Sequence, residues 1–459
     1  MRQRLIQIGL IAFFFSSFCI SQVTETSPVP KNDLNRFYPL SMQQIMDSTT
    51  LSESIQMDEF RDSQTHPNIQ LRWVKARFFS HRWKDGDWHA KITLVLPERI
   101  SRQRRGMLVI CPTGSINTEA GIELTRDYHE FIASEYGVPV MSIPFAGEHY
   151  GSSDIHDWSD FANYMFADLG GDPTWLAQYS TGVVRSRALT LVGKLLGHPI
   201  ERVIHLGSSI TAGQAWRWST FDPRVFGLAA TGSVGSFRHM FPRDGSHHSN
   251  RPYLDQLTTI PEDLLVLFEQ CRDPAVFGPE ITCPVLQMAG TNDPACPPSL
   301  LPNLLKAFGG DSHLVQIPNY GHGCGSMRHI ESMRMILDRW LLGRKLSRVY
   351  IQNRRVENGV LQCTAQVHGK SQVAEVRLYY ATFSNPNTFD SENLPETPES
   401  NYEDLVWHSV PMTQEADGWK GSLDLSGSSD RFVAFFVDVR DTFRGRNGYV
   451  STPIEALQK

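Results

Sequence analysis

Gly207-Ser208-Ser209-Ile210-Thr211 follows the apolar stretch Val203 to Leu206. Small residues around a central serine, between a strand and a helix, are typical of a sharp turn that projects the serine hydroxyl away from the backbone. The residue two places after such a serine is usually glycine, whereas here it is Thr211. Two alternatives stay open: the turn opens slightly to accept Thr211, or Ser209 is presented less well.

An acid and a base follow Ser209 in chain order. Asp293 lies in loop 290–294 after one apolar strand, and His322 lies in loop 318–323 after another. Because the carboxyl ends of parallel strands meet at one edge of a sheet, we expect these side chains to converge. A serine hydroxyl needs an adjacent base, and that base needs an orienting acid. A purely structural role is the alternative for each residue, since serine is common at helix N-caps and aspartate is common in turns.

The pattern of strands and helices predicts an α/β domain over residues 65–343. Its sheet is expected to be mostly parallel and twisted, with helices on both faces. Lys84-Asp85-Gly86-Asp87 predicts an initial hairpin, and Met327 to Leu342 a closing helix. Two long segments, near 152–179 and 236–280, are expected to be insertions.

After this domain the pattern changes to short alternating apolar runs divided by turn residues. Residues 348–459 are therefore predicted to form an all-β sandwich. The 459-residue length agrees with more than one domain.

The N-terminal residues have the features of a secretory signal peptide over 1–21. Arg2 and Arg4 precede an apolar run that is too short to cross a membrane, and a small-residue site follows. Export to the periplasm or the medium is expected. Lipidation of Cys19 is the alternative, disfavoured by the bulky Phe18. Residues 22–64 are expected to be a leader and helix.

Composition limits the class of partner. The formal net charge of −6 leaves no basic patch for nucleic acid and no polybasic membrane anchor. We expect no cofactor and no metal, since His247 and His248 beside Asp244 are adjacent in sequence and lack a third ligand. The expected partner is a small molecule or a polysaccharide ester, and the oligomeric state is left open.

These motifs resemble the α/β-hydrolase superfamily, in the Gly-x-Ser-x-small turn, Gly290-x-x-Asp293 and Gly321-His322. Within it, Gly207-Ser208-Ser209 followed by Trp216 and Asp222-Pro223-Arg224-Val225 is similar to the PhoPQ-activated pathogenicity-related family and to acetyl xylan esterase-like enzymes. The resemblance implies an α/β-hydrolase fold and, from the first of these families, a β-rich tail.

Further site residues follow from this arrangement. The backbone N–H of Ile210 and one from Thr113 or Ser115 are the expected oxyanion donors. Glu148 and His149 are candidates for lining the pocket. Because the acid and base loops must be neighbours, we also expect a Cys296–Cys324 disulfide, and Cys271–Cys283 is a second candidate pair.

The leading functional hypothesis is a secreted serine hydrolase, a carboxylesterase that forms an acyl-enzyme on an ester, including carbohydrate esters. One rival is a serine peptidase on the same fold. The other is a catalytically silent binding or surface protein that uses the sandwich as an adhesive module.

Overall fold

A mixed β-sheet forms the centre of the N-terminal part of the protein. The computed structural model describes residues 35–83, 86–111, 124–143, 148–150, 172–233, 235, 261–293, 296–369, 372–384 and 404–459. Within these ranges the sheet has ten strands in the order β1-β2-β3-β5-β4-β7-β8-β9-β10, with β6 paired to β3. The strands are β1 Glu53–Asp62, β2 Gln70–Trp83, β3 Gly86–Pro97, β4 Met107–Cys111, β5 Val140–Ser142, β6 Glu148–Tyr150, β7 Arg202–Ser208, β8 Val225–Thr231, β9 Val285–Gly290 and β10 Ser312–Ile317.

The sheet changes from antiparallel to parallel at β5. Strands β1, β2, β3 and β5 pair antiparallel, and from β5 through β4, β7, β8 and β9 to β10 every pair is parallel. The predicted hairpin is confirmed by the pairing of Trp83 with Gly86. Every residue of β4 and β9 is buried, because helices cover both faces of the parallel part of the sheet.

The helices in the described residues are α1 Met42–Met46, α2 Leu124–Tyr136, α3 Ala177–Leu196, α4 Ile210–Ser219, α5 Glu262–Arg272, α6 Pro274–Phe277, α7 Leu301–Ala307 and α8 Met327–Leu342. Apolar side chains of α3 and α4, such as Val184 and Trp218, pack in one core. Those of α2 and α8, such as Ile132 and Ile336, pack in the other. In the described part of the chain, none of the helices is long and apolar enough to span a membrane.

Two segments differ from expectation. Residues 53–62, expected within the leader, form β1 at the edge of the sheet. Its side chains are mostly exposed, so it lacks the apolar alternation that predicts a half-buried strand. The described end of the second expected insertion, 261–280, contains α5 and α6. The predicted signal peptide, 1–21, and most of the first expected insertion lie outside the described residues.

The C-terminal region is an all-β sandwich, as predicted. One sheet has the order β11-β12-β16-β15, and the other has β14-β13-β17-β18 with β19 paired to β17. The strands are β11 Arg348–Glu357, β12 Val360–His368, β13 Gln372–Phe383, β14 His408–Pro411, β15 Thr413–Glu415, β16 Gly418–Asp424, β17 Phe432–Phe443, β18 Arg446–Ser451 and β19 Glu455–Gln458.

The sandwich and the α/β region share one apolar core. The cluster that contains Ile336 of α8 continues through Leu346 to Leu361 and Val437 of the sandwich. Buried charges cross the same boundary: Arg344 pairs with Asp338 of α8 at 3.5 Å and also with Asp441 of β17. Breaking a buried pair leaves an uncompensated charge, so this boundary is costly to separate.

Candidate active site

Ser209 occupies the turn between β7 and α4, in a backbone conformation that a non-glycine residue rarely adopts. Its φ is 51° and its ψ is −125°. Such a conformation typically costs about 1–3 kcal/mol and persists only where the surroundings enforce it. A Cβ added at Gly207 would lie 2.9 Å from Cα and 3.0 Å from the amide nitrogen of Ala212. Glycine therefore allows the strand and the helix to approach this closely.

Thr211 stabilises this turn instead of distorting it. Its hydroxyl donates to the carbonyl oxygen of Ser208 at 2.7 Å and accepts from the Ser208 N–H at 2.9 Å. The Ser209 N–H donates to the carbonyl oxygen of Thr231 in β8 at 2.7 Å. The backbone that immediately precedes the Ser209 Cα is therefore fixed by hydrogen bonds. The turn accommodates Thr211 through the two hydrogen bonds of its hydroxyl.

The structure brings Ser209, Asp293 and His322 into one hydrogen-bonded chain. His322 Nε2 lies 2.8 Å from Ser209 Oγ, and His322 Nδ1 lies 2.9 Å from Asp293 Oδ2. An ionised carboxylate can only accept, so the Nδ1–H of His322 is the donor of this hydrogen bond and Asp293 is the acceptor. Nε2 then accepts from the Ser209 hydroxyl. The Asp293 side chain is fully buried, whereas that of His322 is 35% exposed.

The acid and base loops are in direct backbone contact. Asn292 N–H donates to the carbonyl oxygen of Tyr320 at 3.0 Å. A Cβ at Gly290 would overlap that same carbonyl oxygen. Gly232, with φ 54°, lies beneath the pair, and a Cβ there would be 3.3 Å from both Asp293 Oδ2 and His322 Nδ1. These two glycines leave the space that the acid and base occupy.

Cys296 orients the acid without forming the predicted disulfide. Its N–H donates to Asp293 Oδ1 at 2.9 Å, and its thiol donates to the Gly232 carbonyl oxygen at 2.9 Å. The Cys324 thiol instead faces the Gly321 carbonyl oxygen, at 3.5 Å. The prediction of a Cys296–Cys324 bridge is wrong for this structure, because the two thiols face different carbonyl groups. Cys271 and Cys283 are unbridged as well, and in the described residues every cysteine is a thiol.

One three-residue group in the described part of the chain has metal-ligand chemistry. Ligand atoms of Asp293, Cys296 and His322 lie within 4.8 Å of one another. In the structure these atoms bond to one another or to Gly232, as above. The geometry is that of a hydrogen-bonded acid–base pair, and the expectation of no metal stays a prediction.

The other predicted site residues are described only in part. Ile210 opens α4, where the first-turn N–H groups have no intrahelical acceptor, as an oxyanion donor requires. The backbone of Glu148 and His149 forms β6 against β3. The side chains of these two residues lie outside the described part of the chain. So do the remaining predicted residues Thr113, Ser115, Asp244, His247 and His248.

Two residues that the sequence analysis did not single out, Thr231 and His329, support the turn that carries Ser209. Thr231 accepts the Ser209 N–H, and its hydroxyl lies 2.9 Å from Nε2 of His329 in α8. Burial lowers the pKa of His329 to about 4, so its imidazole is neutral near pH 7. Thr231 accepts this bond through its backbone carbonyl, a group that every residue type has. The sequence therefore gives no signal of this role.

The Asp222 and Arg224 motif is structural. The buried Arg224 Nη2 donates to Asp222 Oδ2 at 2.7 Å, and Ser186 of α3 donates to the same carboxylate. Trp218 Nε1 donates to Ser186 Oγ at 2.8 Å. This network joins α3 to α4 and so fixes the helix that follows Ser209.

The strand order, the serine turn after β7, and the acid and base after β9 and β10 together define an α/β-hydrolase fold with a Ser-His-Asp arrangement. A sequence model of the family described as "PhoPQ-activated pathogenicity-related protein" matches residues 51–390. The chain belongs to this family. The chain matches none of the curated proteins with which it was compared.

Solved structures to which this chain is similar include esterases and another hydrolase. Acetyl xylan esterase 1 from Thermoanaerobacterium sp. is 16% identical, with 65% of this chain and 90% of that chain covered and a TM-score of 0.44. Glucuronoyl esterase from Solibacter usitatus is 12% identical, with 64% and 87% covered and a TM-score of 0.42. An S-formylglutathione hydrolase from Agrobacterium tumefaciens is 12% identical, with 59% and 92% covered and a TM-score of 0.39.

Proposed function

We propose that this protein is an exported serine carboxylesterase in which Ser209 is the nucleophile, His322 the base and Asp293 the orienting acid. The observation that carries the proposal is the hydrogen-bonded chain from Ser209 Oγ through His322 to Asp293, with both bonds at 2.8–2.9 Å. The conformation of Ser209 adds support, because a backbone with φ 51° at a serine is maintained against its own cost.

Each step uses these three side chains. His322 Nε2 takes the Ser209 proton as Oγ bonds to the ester carbonyl carbon, and the carbonyl electron pair moves onto oxygen. In this proposal the N–H of Ile210 stabilises that oxyanion. The imidazolium, paired with Asp293, then protonates the leaving alcohol as the C–O bond breaks. Water repeats the sequence on the acyl-enzyme, releasing the acid and regenerating Ser209.

The substrate class proposed is a carbohydrate ester. Residues 152–175 include five aromatic residues, and aromatic faces stack on sugar rings. These residues are Trp158, Phe161, Tyr164, Phe166 and Trp175. A serine peptidase would instead cleave amides, and a silent binding protein would cleave neither.

The test is labelling with a fluorophosphonate, followed by turnover of p-nitrophenyl esters, acetylated xylan and aminoacyl anilides. We expect stoichiometric labelling of Ser209, ester turnover, and loss of both in S209A. The matched control S219A changes a serine at the other end of α4 and should keep both activities. Absence of labelling in folded protein would refute serine catalysis, and preferential anilide cleavage would indicate a peptidase.

Export is tested separately. Removal of a signal peptide over residues 1–21 predicts a mature chain that begins at Gln22. N-terminal sequencing of protein from the periplasm or medium should find this residue first. An intact Met1 on cytoplasmic protein would contradict export.

A further inference from the structure

We propose that the C-terminal sandwich positions the residues of the active site. Its residues 404–407, here called the clasp segment, hold the loops that carry Asp293 and His322. This inference rests on the proposed function. It gives the sandwich a role different from that of an appended adhesive module.

The first contact joins the clasp segment to the base loop. Asn319 Nδ2 donates to the Trp407 carbonyl oxygen at 3.0 Å, and Trp407 N–H donates to Asn319 Oδ1 at 2.7 Å. One side-chain amide thus bonds both backbone groups of one residue. Asn319 has φ 61°, a left-handed conformation that asparagine tolerates better than most residues. The base loop therefore turns and bonds to the sandwich through the same residue.

The second contact joins the clasp segment to the acid loop. Asn292, which immediately precedes Asp293, donates from Nδ2 to the Leu405 carbonyl oxygen at 2.7 Å. The Thr291 hydroxyl donates to Asn292 Oδ1 at 2.6 Å and accepts from the Asn319 N–H at 2.9 Å. Through this hydroxyl, the acid loop, the base loop and the clasp segment form one connected network.

The clasp segment is itself held firmly by the sandwich. Trp407 is 3% exposed, and its ring centroid lies 5.3 Å from that of Phe436 in β17. Leu405 packs against the same apolar cluster, which also includes Phe383 and Ala434. An anchor buried in a well-packed core has little freedom. The two carbonyl groups that the asparagines bond are therefore fixed relative to the sandwich.

The elements that flank the base loop are fixed to the sandwich as well. Before the loop, the N–H of Gln316 in β10 donates to Ser451 Oγ of β18 at 3.0 Å. After it, Arg328 of α8 pairs with the buried Asp438 of β17. Loop 318–326 is therefore bonded to the sandwich before it, after it and at Asn319. Small displacements of a catalytic group reduce turnover strongly, about 100-fold for roughly 1 Å, so this fixation has a catalytic consequence.

The test is the variant N319G, compared with N358G as a matched control. Glycine preserves the left-handed backbone at Asn319 while removing both bonds to Trp407. Asn358 also has a left-handed backbone, with φ 51°, but is exposed in the turn between β11 and β12. The same substitution there leaves the clasp segment intact. N292A breaks the acid-loop contact independently and serves if N319G fails to fold.

The readouts are kcat and KM for p-nitrophenyl acetate, with the rate and final stoichiometry of fluorophosphonate labelling. For N319G we expect kcat and the labelling rate to fall about 10- to 100-fold while KM changes less than about 2-fold. Labelling should still reach one per chain. N358G should match the wild type, and N319D, which keeps the acceptor for Trp407 N–H, should lie between N319G and the wild type.

Two results would overturn the positioning role: an N319G labelling rate equal to the wild type, or a reduced final stoichiometry with an unchanged rate. The second would mean that the bonds only maintain folding. If wild-type protein is not labelled at all, the proposed function fails, and the positioning role fails with it.

Discussion

The hydroxyl of Thr211 is expected to support turnover although it does not belong to the Ser-His-Asp chain. The informative perturbation is T211V, which keeps the β-branched shape and removes the hydroxyl. That change deletes the bonds to the Ser208 carbonyl oxygen at 2.7 Å and from the Ser208 N–H at 2.9 Å. At roughly 0.5–1.5 kcal/mol net for each hydrogen bond, the loss is about 1–3 kcal/mol.

This loss of hydrogen-bond free energy is comparable with the backbone strain at Ser209, which the two bonds of Thr211 offset. A serine with the φ of 51° found at Ser209 costs about 1–3 kcal/mol. When the bonds to Ser208 are lost, the relaxed turn, in which the hydroxyl no longer faces His322, gains population. Since about 1.4 kcal/mol corresponds to a factor of ten, we expect kcat to fall roughly 5- to 150-fold in T211V.

The assay is ester turnover and fluorophosphonate labelling rate, with thermal unfolding followed in parallel. Thr190 is the matched control, because it is also half-buried on a helix and its hydroxyl donates to backbone carbonyls, those of Ile45 and Ser186. T190V should lose stability and keep its turnover, and T211S should keep both. If T211V retains wild-type kcat, or if T190V lowers kcat equally, the reasoning is refuted.

Three further predictions concern the loops, the thiols and acid stability. G290A should abolish turnover, because its Cβ would overlap the Tyr320 carbonyl oxygen. The control G323A has open space around the new Cβ, so it should fold and should unfold at the same temperature as the wild type. A G290A enzyme with normal kcat would contradict the loop contact. Thiol titration of the unfolded mature chain should count six thiols, since the structure has no disulfide among the described cysteines; a count of four or fewer would contradict it. Burial lowers the pKa of His129 and of His329 from 6.5 to about 4, so the unfolded chain binds protons that the folded protein excludes. The resulting stability is fully present above pH 6.5 and should be lost as the pH falls from 6.5 to 4, by up to roughly 3 kcal/mol for each group. Urea unfolding measured across that pH range should show a shallower loss of stability for H329Q than for the wild type.

The local parts of this fold and site follow from the sequence. Met327 to Leu342 is a helix with the bounds that its apolar spacing predicts. The juxtaposition of Ser209, Asp293 and His322 also follows, because each comes just after an apolar strand and parallel strands end at one edge. Chain order and strand context together are sufficient to place these side chains, although not to establish their chemical roles.

The parts that escaped prediction depend on which atoms meet across long sequence separations. No local pattern indicates that the Asn319 amide bonds Trp407, 88 residues away. The same holds for the thiols, since loop proximity was correct for Cys296 and Cys324 but the direction of each sulfur was not deducible. Edge strand β1 escaped because it buries little, and burial is what produces an alternating pattern.

Ser209 and the Asp293–His322 pair are held in place by different contacts. Ser209 is fixed by its own strand and helix, through bonds at Ser208 and Thr231 only a few residues or one strand away. Asp293 and His322 lie on loops that share backbone contacts with each other, and both loops are bonded to the sandwich. Loops lack the internal hydrogen bonds that make strands and helices rigid, so they need an external support to maintain a 2.8 Å contact with Ser209. In this chain the sandwich provides that support, and its removal should therefore displace His322 before it displaces Ser209.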